Sequence, residues 1–397
     1  PSKMRIYLDK NVFDATIERI EFLFDEFNNI IVGFSGGKDS TVVLELTLMV
    51  AKRRNRLPIK VMWIDQEAEW EATVEMAEYE MTREEVEPLW LQMPFNMTNN
   101  ASSFSRFNYC WDPEQKDLWI HPQHPISKKV NDYGVSRFHE LFGAIIDKEF
   151  QGHKACYISG VRTEESPRRN MGLTQFACYK YITWGAKLNH KKELYTFYPI
   201  YDWSYTDVWK AILDNDWKYN KIYDLYYNYN VPIYQMRVSS LHHETALNIL
   251  THIQQLEPQT WERLCARIGG ANTVKHLNKN SFNCPKELPY MFQSWKEYAY
   301  YIIDNLVVDN ENKEKVKHQL SLLEKQFTHP AIAKDMYRSI INTVLSNDWD
   351  FTRLNNWRTN PNVGIYLSWK NHRKGKEHLF AKCPYIPEEE RIKWKMS

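Results

Sequence analysis

Residues 29–40 read Asn29-Ile30-Ile31-Val32-Gly33-Phe34-Ser35-Gly36-Gly37-Lys38-Asp39-Ser40. The nearly apolar first half predicts a short buried β-strand, and a helical pattern follows from Thr41 to about Arg56. Two glycines between a strand and a helix let the backbone approach an anion closely, and a helix N-terminus favours negative charge. The stretch therefore predicts an anion-binding loop, which we call the cradle (residues 35–40). Ser35 and Ser40 would add hydroxyl donors and Lys38 a positive charge.

The cradle differs from a Walker A loop, which has four residues between its first glycine and Gly-Lys-Ser/Thr. The alternative interpretation is an ordinary strand–helix turn with a serine cap. A strand directly before the turn and a helix directly after it favour the anion-binding interpretation.

The pattern around the cradle predicts an α/β fold with a doubly wound parallel sheet, because short apolar strands alternate with helices. Residues 94–135 interrupt this alternation as an inserted loop, and 161–203 form an irregular, locally basic stretch. From about Ser239 the pattern is helical. We therefore predict a nucleotide-binding domain at 1–238 and an all-helical domain at 239–397 with a mildly basic tail. Beyond the cradle, the predicted helices and strands are: helix 12–27, strand 59–64, helix 70–85, strand 88–93, helix 136–151, strand 155–159, and helices near 240–256, 258–268, 290–307, 311–326 and 331–346.

The composition of the 397 residues narrows the classes of protein. With 43% hydrophobic and 25% charged residues, the chain has the composition of a globular protein. A formal net charge of +1 excludes a generally polycationic nucleic-acid binder, although a local basic patch stays open. No run approaches 18 apolar residues, so we expect no membrane partner. The six cysteines form no CxxC pair, which predicts reduced thiols in the cytoplasm and no iron–sulfur cluster.

Four segments carry a resemblance to known proteins. Residues 35–40 after a first strand resemble the PP-loop of the adenine-nucleotide α-hydrolase superfamily. The others resemble the branch of that superfamily that is similar to phosphoadenosine phosphosulfate (PAPS) reductases. In chain order they are Ile64-Asp65 followed by Thr73, then Gly160-Val161-Arg162-Thr163-Glu164-Glu165-Ser166-Pro167-Arg168-Arg169, and then residues 198–209 with Pro199, Trp203, Asp207, Val208 and Trp209.

The helical regions before and after these segments also resemble a narrower branch found in phages and enterobacteria. That branch includes immunoglobulin-binding regulators, which are often encoded beside a ParB-like protein. This resemblance implies a ParB-like protein partner. Nucleic acid is a further partner that it allows but does not require.

The resemblance implies which residues bind an adenine nucleotide, either ATP or PAPS, and which act in catalysis. Lys38, Asp39 and Arg162 would be catalytic, and Asp39 and Asp65 are candidate Mg²⁺ ligands. Glu164 and Glu165 either pair with the arginines of their loop or bind Mg²⁺. The implied nucleotide-binding residues are Ser35, Gly36, Gly37, Lys38, Asp39, Ser40, Asp65, Gly160, Arg162, Glu165, Ser166, Arg168 and Arg169.

The chain also departs from the family's pattern. Reductases that form sulfite carry a nucleophilic cysteine, usually in a C-terminal Glu-Cys-Gly-x-His segment, and this chain ends Arg391-Ile392-Lys393-Trp394-Lys395-Met396-Ser397. Gln66-Glu67 stands after Asp65 where the family usually has Thr-Gly. After residues 219–224, where many relatives have Gly-Cys, the chain has Pro232-Ile233-Tyr234. Thiol redox chemistry is therefore disfavoured.

Three weaker patterns have ordinary structural interpretations that we favour. His121 and His124, with Cys110 nearby, are a conceivable half of a zinc site, but loop histidines without a second pair of ligands are more common. Cys178 in the basic stretch is either a reactive thiol or a small buried residue. Residues 203–209 fit a capped helix start, with Ser204 or Thr206 as the cap, better than a substrate contact.

The favoured function is cleavage of ATP between the α- and β-phosphates to adenylylate or activate an unknown acceptor. Such a reaction depends mainly on positioning and charge stabilisation and requires no protein nucleophile. One alternative is a PAPS-binding transferase or reductase. The other is a nucleotide-sensing regulator that acts with a protein partner or DNA.

Overall fold

The structure is a computed structural model that describes residues 9–99, 101–102, 107–165, 173, 177–189, 192–242, 250–274, 283–307 and 309–394. The chain divides into two compact units. The first falls within Pro1–Asn99 and Phe107–Ile268, and the second within Asn100–Arg106 and Gly269–Ser397. The predicted domain boundary after residue 238 lies inside the first unit, and as a functional boundary it stays a prediction.

The first unit alternates strands and helices. Its strands are β1 (Asn29–Gly33), β2 (Ile59–Ile64), β3 (Val86–Leu91), β4 (Phe95–Thr98), β5 (Phe107–Cys110), β6 (Ala155–Ile158), β7 (Gly185–Asn189) and β8 (Leu194–Phe197). Its helices are α1 (Val12–Glu26), α2 (Lys38–Arg53), α3 (Glu71–Met81), α4 (Phe138–Glu149), α5 (Tyr205–Asp214), α6 (Ile222–Asn228), α7 (Leu250–Leu256) and α8 (Pro258–Arg267). Short 3-10 helices lie at Pro113–Leu118, Thr163–Glu165 and Ile233–Gln235.

Six of these strands form one sheet in the order β3-β2-β1-β6-β8-β7. The first five strands in this order are parallel, and β7 pairs antiparallel with β8 at the edge. From β1 the chain moves outward to β2 and β3, and later returns to the other side of β1 with β6. The carboxyl ends of β1 and β6 therefore flank a topological switch point, where open parallel sheets commonly bind ligands.

Alternate residues of the central strands face opposite layers of helices. Ile30 and Val32 belong to a core with residues of α1, α2, α3 and α5, whereas Ile31 belongs to a core with residues of α4. Strands buried on both faces explain the continuous apolar runs in the sequence. The predicted doubly wound α/β fold is therefore confirmed.

The structure corrects the prediction for residues 161–203, which are not irregular throughout. They contain β7 and β8, and β8 pairs in parallel with β6 from Ala155↔Leu194 to Ile158↔Phe197. Within the predicted insert, β4 and β5 form a separate antiparallel hairpin. Helix α2 begins at Lys38, before the predicted Thr41, so the cradle lysine is already helical.

The second unit is helical in its described part. Its helices are α9 (Ala271–Val274), α10 (Trp295–Leu306), α11 (Asn310–Gln326), α12 (Pro330–Leu345), α13 (Thr352–Arg358), α14 (Pro361–Lys370), α15 (Glu377–Phe380) and α16 (Glu388–Lys393). An apolar core joins α10 to α15, including Ile303, Leu320 and Ile340. This confirms the predicted helical C-terminal region. Over the described residues of the chain, the helices are too short or too polar to cross a membrane.

Candidate functional site

The cradle is held by hydrogen bonds of its own serines. Ser40 Oγ accepts the backbone N–H of Ser35 at 3.2 Å and donates to the carbonyl oxygen of Gly37 at 2.8 Å. Ser35 Oγ lies 3.1 Å from Ser40 Oγ. Gly37 is the N-cap of α2 and has no side chain to cap the helix, and residues 37–40 line the cavity described below.

Gly36 occupies a position that no other residue fits without strain. Its φ is +70°, and a Cβ would lie 2.6 Å from Thr73 Cγ2. Asn220 fixes this contact, because its Nδ2 donates to the carbonyl oxygen of Gly36 at 3.0 Å and to Thr73 Oγ1 at 2.9 Å. The loop is therefore tied to α3 and to the residue that precedes α6 by two positions.

Lys38 is a buried cation at the start of α2, only 6% exposed. Its Nζ lies 3.1 Å from Asp39 Oδ2, and the rings of Tyr205 and Tyr223 are centred 5.5 and 5.3 Å away. Burial lowers the pKa of Lys38, with Asp39 acting in the opposite direction. The backbone N–H of the same lysine donates to Tyr223 Oη at 3.1 Å.

Arg162 joins the loop after β6 to the first turn of α2. Its Nε forms an ion pair with Asp39 Oδ1, and its guanidinium also lies 2.9 Å from Glu164 Oε2. Glu164 in turn accepts the backbone N–H of Tyr205 at 2.6 Å. Both oxygens of Asp39 are thus engaged by cations, one by Lys38 and one by Arg162. Arg162 is 4% exposed and does not line the cavity.

A cavity of about 460 Å³ opens at this edge of the sheet. The cradle and Gly160 form its polar end, and the segment from Arg237 to Ser240 lines it as well. Apolar side chains from β2, the β4–β5 hairpin and α4 line it elsewhere: Met62, Trp63, Ile64, Met97, Phe138 and Phe142. The arrangement suits a ligand with a charged part and a large, weakly polar part.

Comparisons with known proteins show the family of the chain. The description "Phosphoadenosine phosphosulfate reductase domain" matches residues 29–275. The chain belongs to the phosphoadenosine phosphosulfate reductase domain family. A second description, "Domain of unknown function (DUF3440)", matches residues 230–358.

Individual relatives of this PAPS reductase-domain protein share little sequence identity with it. It is 26% identical to the uncharacterized protein YbdN of Escherichia coli strain K12, over 87% of this chain and 90% of that protein. A crystal structure of PAPS reductase from Candida auris matches at 12% identity and a TM-score of 0.33, over 60% of this chain and 99% of that one. An FMN adenylyltransferase of Candida glabrata matches at 13% identity and a TM-score of 0.35, over 55% and 64% of the two chains.

Asp65 is separated from the cradle residues. It is fully buried, and the cavity lining does not include it. Its Oδ2 accepts from Trp90 Nε1 at 3.1 Å and Gln92 Nε2 at 2.8 Å, and its Oδ1 accepts from the backbone of Glu67 at 2.9 Å. The sequence groups Asp65 with the cradle, but in the structure it stabilises the turn after β2.

Glu67 accounts for the departure from the Thr-Gly pattern of the PAPS reductase family. Its φ is +65°, a conformation that glycine adopts without cost. The negative charge of the buried Glu67 side chain is compensated by Arg267, whose Nε lies 2.6 Å from Glu67 Oε1. The backbone N–H of Trp111 donates to Glu67 Oε2 at 2.6 Å. Gln66, the residue before it, lines the cavity.

The histidines of the insert contact other parts of the first unit. His121 Nε2 lies 3.3 Å from Asp65 Oδ1; burial acts to lower the pKa of His121, but Asp65 outweighs it and the pKa is raised. The ring of His124 stacks on Trp90 at 4.7 Å. Over the part of the chain that the structure describes, no three His, Cys, Asp or Glu side chains are grouped as a metal site.

The structure treats the remaining predicted residues differently. Gly160 and Glu165 line the cavity, whereas Ser166, Arg168 and Arg169 lie outside the described residues. Cys178 is half-buried, and burial raises the pKa of its thiol, the opposite of what a reactive cysteine needs. Ser204 caps α5 with Asp207 in a reciprocal capping box, as the sequence predicts.

Several cavity residues were missed by sequence reasoning. Tyr223, which lines the cavity, and Asn220, which holds Gly36, lie in the segment at 219–224, so the family resemblance offered a signal for them. Residues 237–240 belong to none of the four segments that resemble the PAPS reductase family. They reach the cavity because Leu241 N–H donates to the carbonyl oxygen of Ala68 at 2.7 Å, which holds the segment against the turn after β2.

Proposed function

We propose that this protein binds ATP in the cavity and cleaves it between the α- and β-phosphates, which adenylylates or otherwise activates an acceptor. The observation that carries the proposal is the cradle itself. A tight glycine turn, the open N-terminus of α2 and the buried charge of Lys38 converge at the polar end of one cavity. Backbone N–H groups at a helix N-terminus and a lysine are what a polyphosphate requires.

In the proposed reaction an acceptor atom forms a bond to the α-phosphorus. The bond from the α-phosphorus to the oxygen that bridges it to the β-phosphate breaks, and pyrophosphate leaves with that electron pair. The Lys38 ammonium group stabilises the charge on the departing pyrophosphate, together with the cradle N–H groups other than those of Ser35 and Lys38, which donate to Ser40 Oγ and Tyr223 Oη. The protein supplies position and electrostatic stabilisation, and the nucleophile belongs to the acceptor.

Asp39 and Arg162 have positioning roles in this proposal. Arg162 forms ion pairs with Asp39 and Glu164 and does not line the cavity. In this proposal it therefore affects the nucleotide through Asp39. Asp39 in turn holds the ammonium group of Lys38 by an ion pair. Their contribution to catalysis is the orientation of Lys38 toward the phosphates.

The two predicted Mg²⁺ ligands, Asp39 and Asp65, do not fit a resident ion. Both oxygens of Asp39 are in ion pairs, and Asp65 is buried among hydrogen-bond donors away from the cavity lining. A divalent ion needs oxygen ligands that are free to coordinate it. We therefore include Mg²⁺ only as the counter-ion that ATP brings from solution.

A second candidate is a PAPS-binding enzyme of the transferase or reductase kind, which the family membership favours. Reduction to sulfite needs a nucleophilic thiol. Cys110 and Cys156 are fully buried, and burial raises the pKa of both thiols well above the usual value. The described lining of the cavity contains no cysteine. Binding of PAPS without reduction is thus the more plausible form of this alternative.

The test is incubation of the purified protein with α-labelled ATP and Mg²⁺, followed by separation of AMP, ADP and pyrophosphate. With water as the acceptor, we expect AMP and pyrophosphate from the wild type and from Lys52→Ala, a change at an exposed lysine in the last turn of α2. We expect neither product from Lys38→Ala. Formation of ADP and phosphate would contradict cleavage at the α–β bond.

Calorimetric titration with ATP and PAPS separates the alternatives. Tight binding of PAPS but not ATP would favour the sulfonucleotide enzyme. Tight binding of ATP without products, even with cell extract as a source of acceptors, would favour a nucleotide-sensing regulator that acts with a protein partner or DNA.

The narrower resemblance extends the proposal. We place the chain, as a proposal, in the phage- and enterobacteria-associated branch of immunoglobulin-binding regulators, with a ParB-like partner and a cytoplasmic location. Co-purification with the product of a neighbouring ParB-like gene would support that assignment.

A further inference from the structure

The segment from Arg237 to Leu241 forms a fixed wall of the cavity. Tyr226 Oη, on α6, donates to the carbonyl oxygen of Arg237 at 3.2 Å. At the other end, Ser240 Oγ donates to the carbonyl oxygen of Ala68 at 3.2 Å, as the backbone N–H of Leu241 does at 2.7 Å. The backbone that carries Arg237 is therefore held at both ends.

Arg237 differs from the other two cations of the site. Lys38 and Arg162 are buried and share the carboxylate of Asp39. Arg237 is exposed and lines the cavity, and its side chain makes no hydrogen bond or ion pair with any other residue that the structure describes. All five N–H donors of its guanidinium are thus available to a ligand.

The charge of Arg237 acts on Lys38. Burial is the main cause of the lowered pKa of Lys38, and the like charges of Arg162 and Arg237 lower it further. Asp39 pairs with Lys38 at the cradle, and Glu69 and Glu165 are the other acidic residues that line the cavity. An anion bound between Lys38 and Arg237 would relieve that repulsion.

We propose that Arg237 binds the terminal anionic group of the nucleotide, a phosphate or a sulfate, and so selects ligands with more than one such group. This inference rests on the proposed function, because it takes the cavity to be the nucleotide site. A guanidinium matches two oxygens of a phosphate or sulfate at once, which a lysine does not. Arg237 thereby takes the ligand-binding role that the sequence implies for Arg162.

The experiment is calorimetric titration of the full-length protein with ATP, ADP, AMP and PAPS. The variants are Arg237→Ala, Arg237→Lys and, as a matched control, Arg53→Ala at an exposed arginine in the last turn of α2. We expect Arg237→Ala to weaken ATP or PAPS binding about tenfold or more, the usual effect of losing a hydrogen bond to a charged group. AMP affinity should be unchanged, Arg237→Lys should be intermediate, and Arg53→Ala should match the wild type.

The ligand series also identifies the group that is bound. A larger effect on ATP assigns Arg237 to a phosphate, and a larger effect on PAPS to the sulfate or 3′-phosphate. Equal losses for ATP and AMP, or no loss for any ligand, would overturn the inference. If Lys38→Ala abolishes binding while Arg237→Ala does not change it, this inference alone fails. If the wild type binds none of the four nucleotides, the proposed function fails with it.

Discussion

A Cβ on Gly160 would lie 2.7 Å from the backbone carbonyl oxygen of Asp39, so the loop after β6 packs directly on the first turn of α2. We expect Gly160→Ala to lower the free energy of unfolding by about 1–3 kcal/mol, because backbone atoms must move apart. Gly143→Ala, in α4 with no atom within 4 Å of its Cβ position, is the control. It should raise stability by about 0.5–1 kcal/mol. Urea unfolding of both variants checks this, and shifts in the same direction would contradict it.

The two glycines of the cradle should respond differently to alanine. Gly36 has a φ of +70° and a Cβ position 2.6 Å from Thr73, whereas Gly37 has a φ of −89° and only ordinary contacts beyond 3.4 Å. We expect Gly36→Ala to displace the loop and weaken ATP binding at least tenfold, with Gly37→Ala within about threefold of the wild type. Titration of both variants tests this, and equal losses would show that the space above Gly37 is also needed by the ligand.

The ion pair between Arg162 and Asp39 should support both stability and binding. Removing one partner of a buried ion pair leaves an uncompensated charge, so we expect Arg162→Ala to cost about 3 kcal/mol of unfolding free energy. Arg19→Ala is the comparison, because Arg19 pairs with Asp202 at 2.6 Å in a half-buried position away from the cradle. Both variants should lose stability, but only Arg162→Ala should lose ATP affinity. A normal ATP affinity of Arg162→Ala would contradict the positioning role of Arg162.

Glu80 should make stability depend on pH. Burial, followed by repulsion from Glu45, raises the pKa of Glu80 to about 7 in the folded protein, against an ordinary value of 4.5. The folded state therefore holds a proton that the unfolded state releases, and the resulting stability is complete below about pH 4.5 and lost as the pH rises through 7. A shift of this size corresponds to about 3 kcal/mol.

Glu80→Gln isolates this contribution, because an amide keeps the shape and does not ionise. Between pH 5 and pH 8, the wild type should lose more unfolding free energy than Glu80→Gln, by up to about 3 kcal/mol. Glu84→Gln, at an exposed position four residues along, should follow the wild type. Parallel curves for the wild type and Glu80→Gln would exclude the ionisation of Glu80 as the cause.

Local patterns predict much of the first unit, because β1, β2 and β6 are buried on both faces and the helices between them are amphipathic. Local patterns did not predict β7 and β8. β8 has four residues, and β7 is an edge strand with exposed Ala186 and Lys187, so neither has a distinct pattern. β7 and β8 pair with each other across a short connection, but the parallel partner of β8 is β6, which no short window around β8 contains.

The same reasoning applies to the site. The cradle could be predicted because a strand, two glycines and a helix are contiguous in the chain. The positions of Arg237 and Asp65 relative to the cavity could not be predicted in this way. Arg237 reaches the cavity through contacts with Tyr226 and Ala68, and Asp65 is turned away from it by Trp90 and Gln92. Both outcomes depend on residues far away in the sequence.

The bond between the Lys38 amide and Tyr223 connects two elements that are 185 residues apart. Amides in the first turn of a helix have no partner within that helix, and they normally exchange their hydrogens with solvent quickly. The Lys38 amide is protected only while α6 stays in place. Slow hydrogen–deuterium exchange at this one position therefore measures how often α6 separates from the cradle. Tyr223→Phe abolishes that protection without touching the rest of α2.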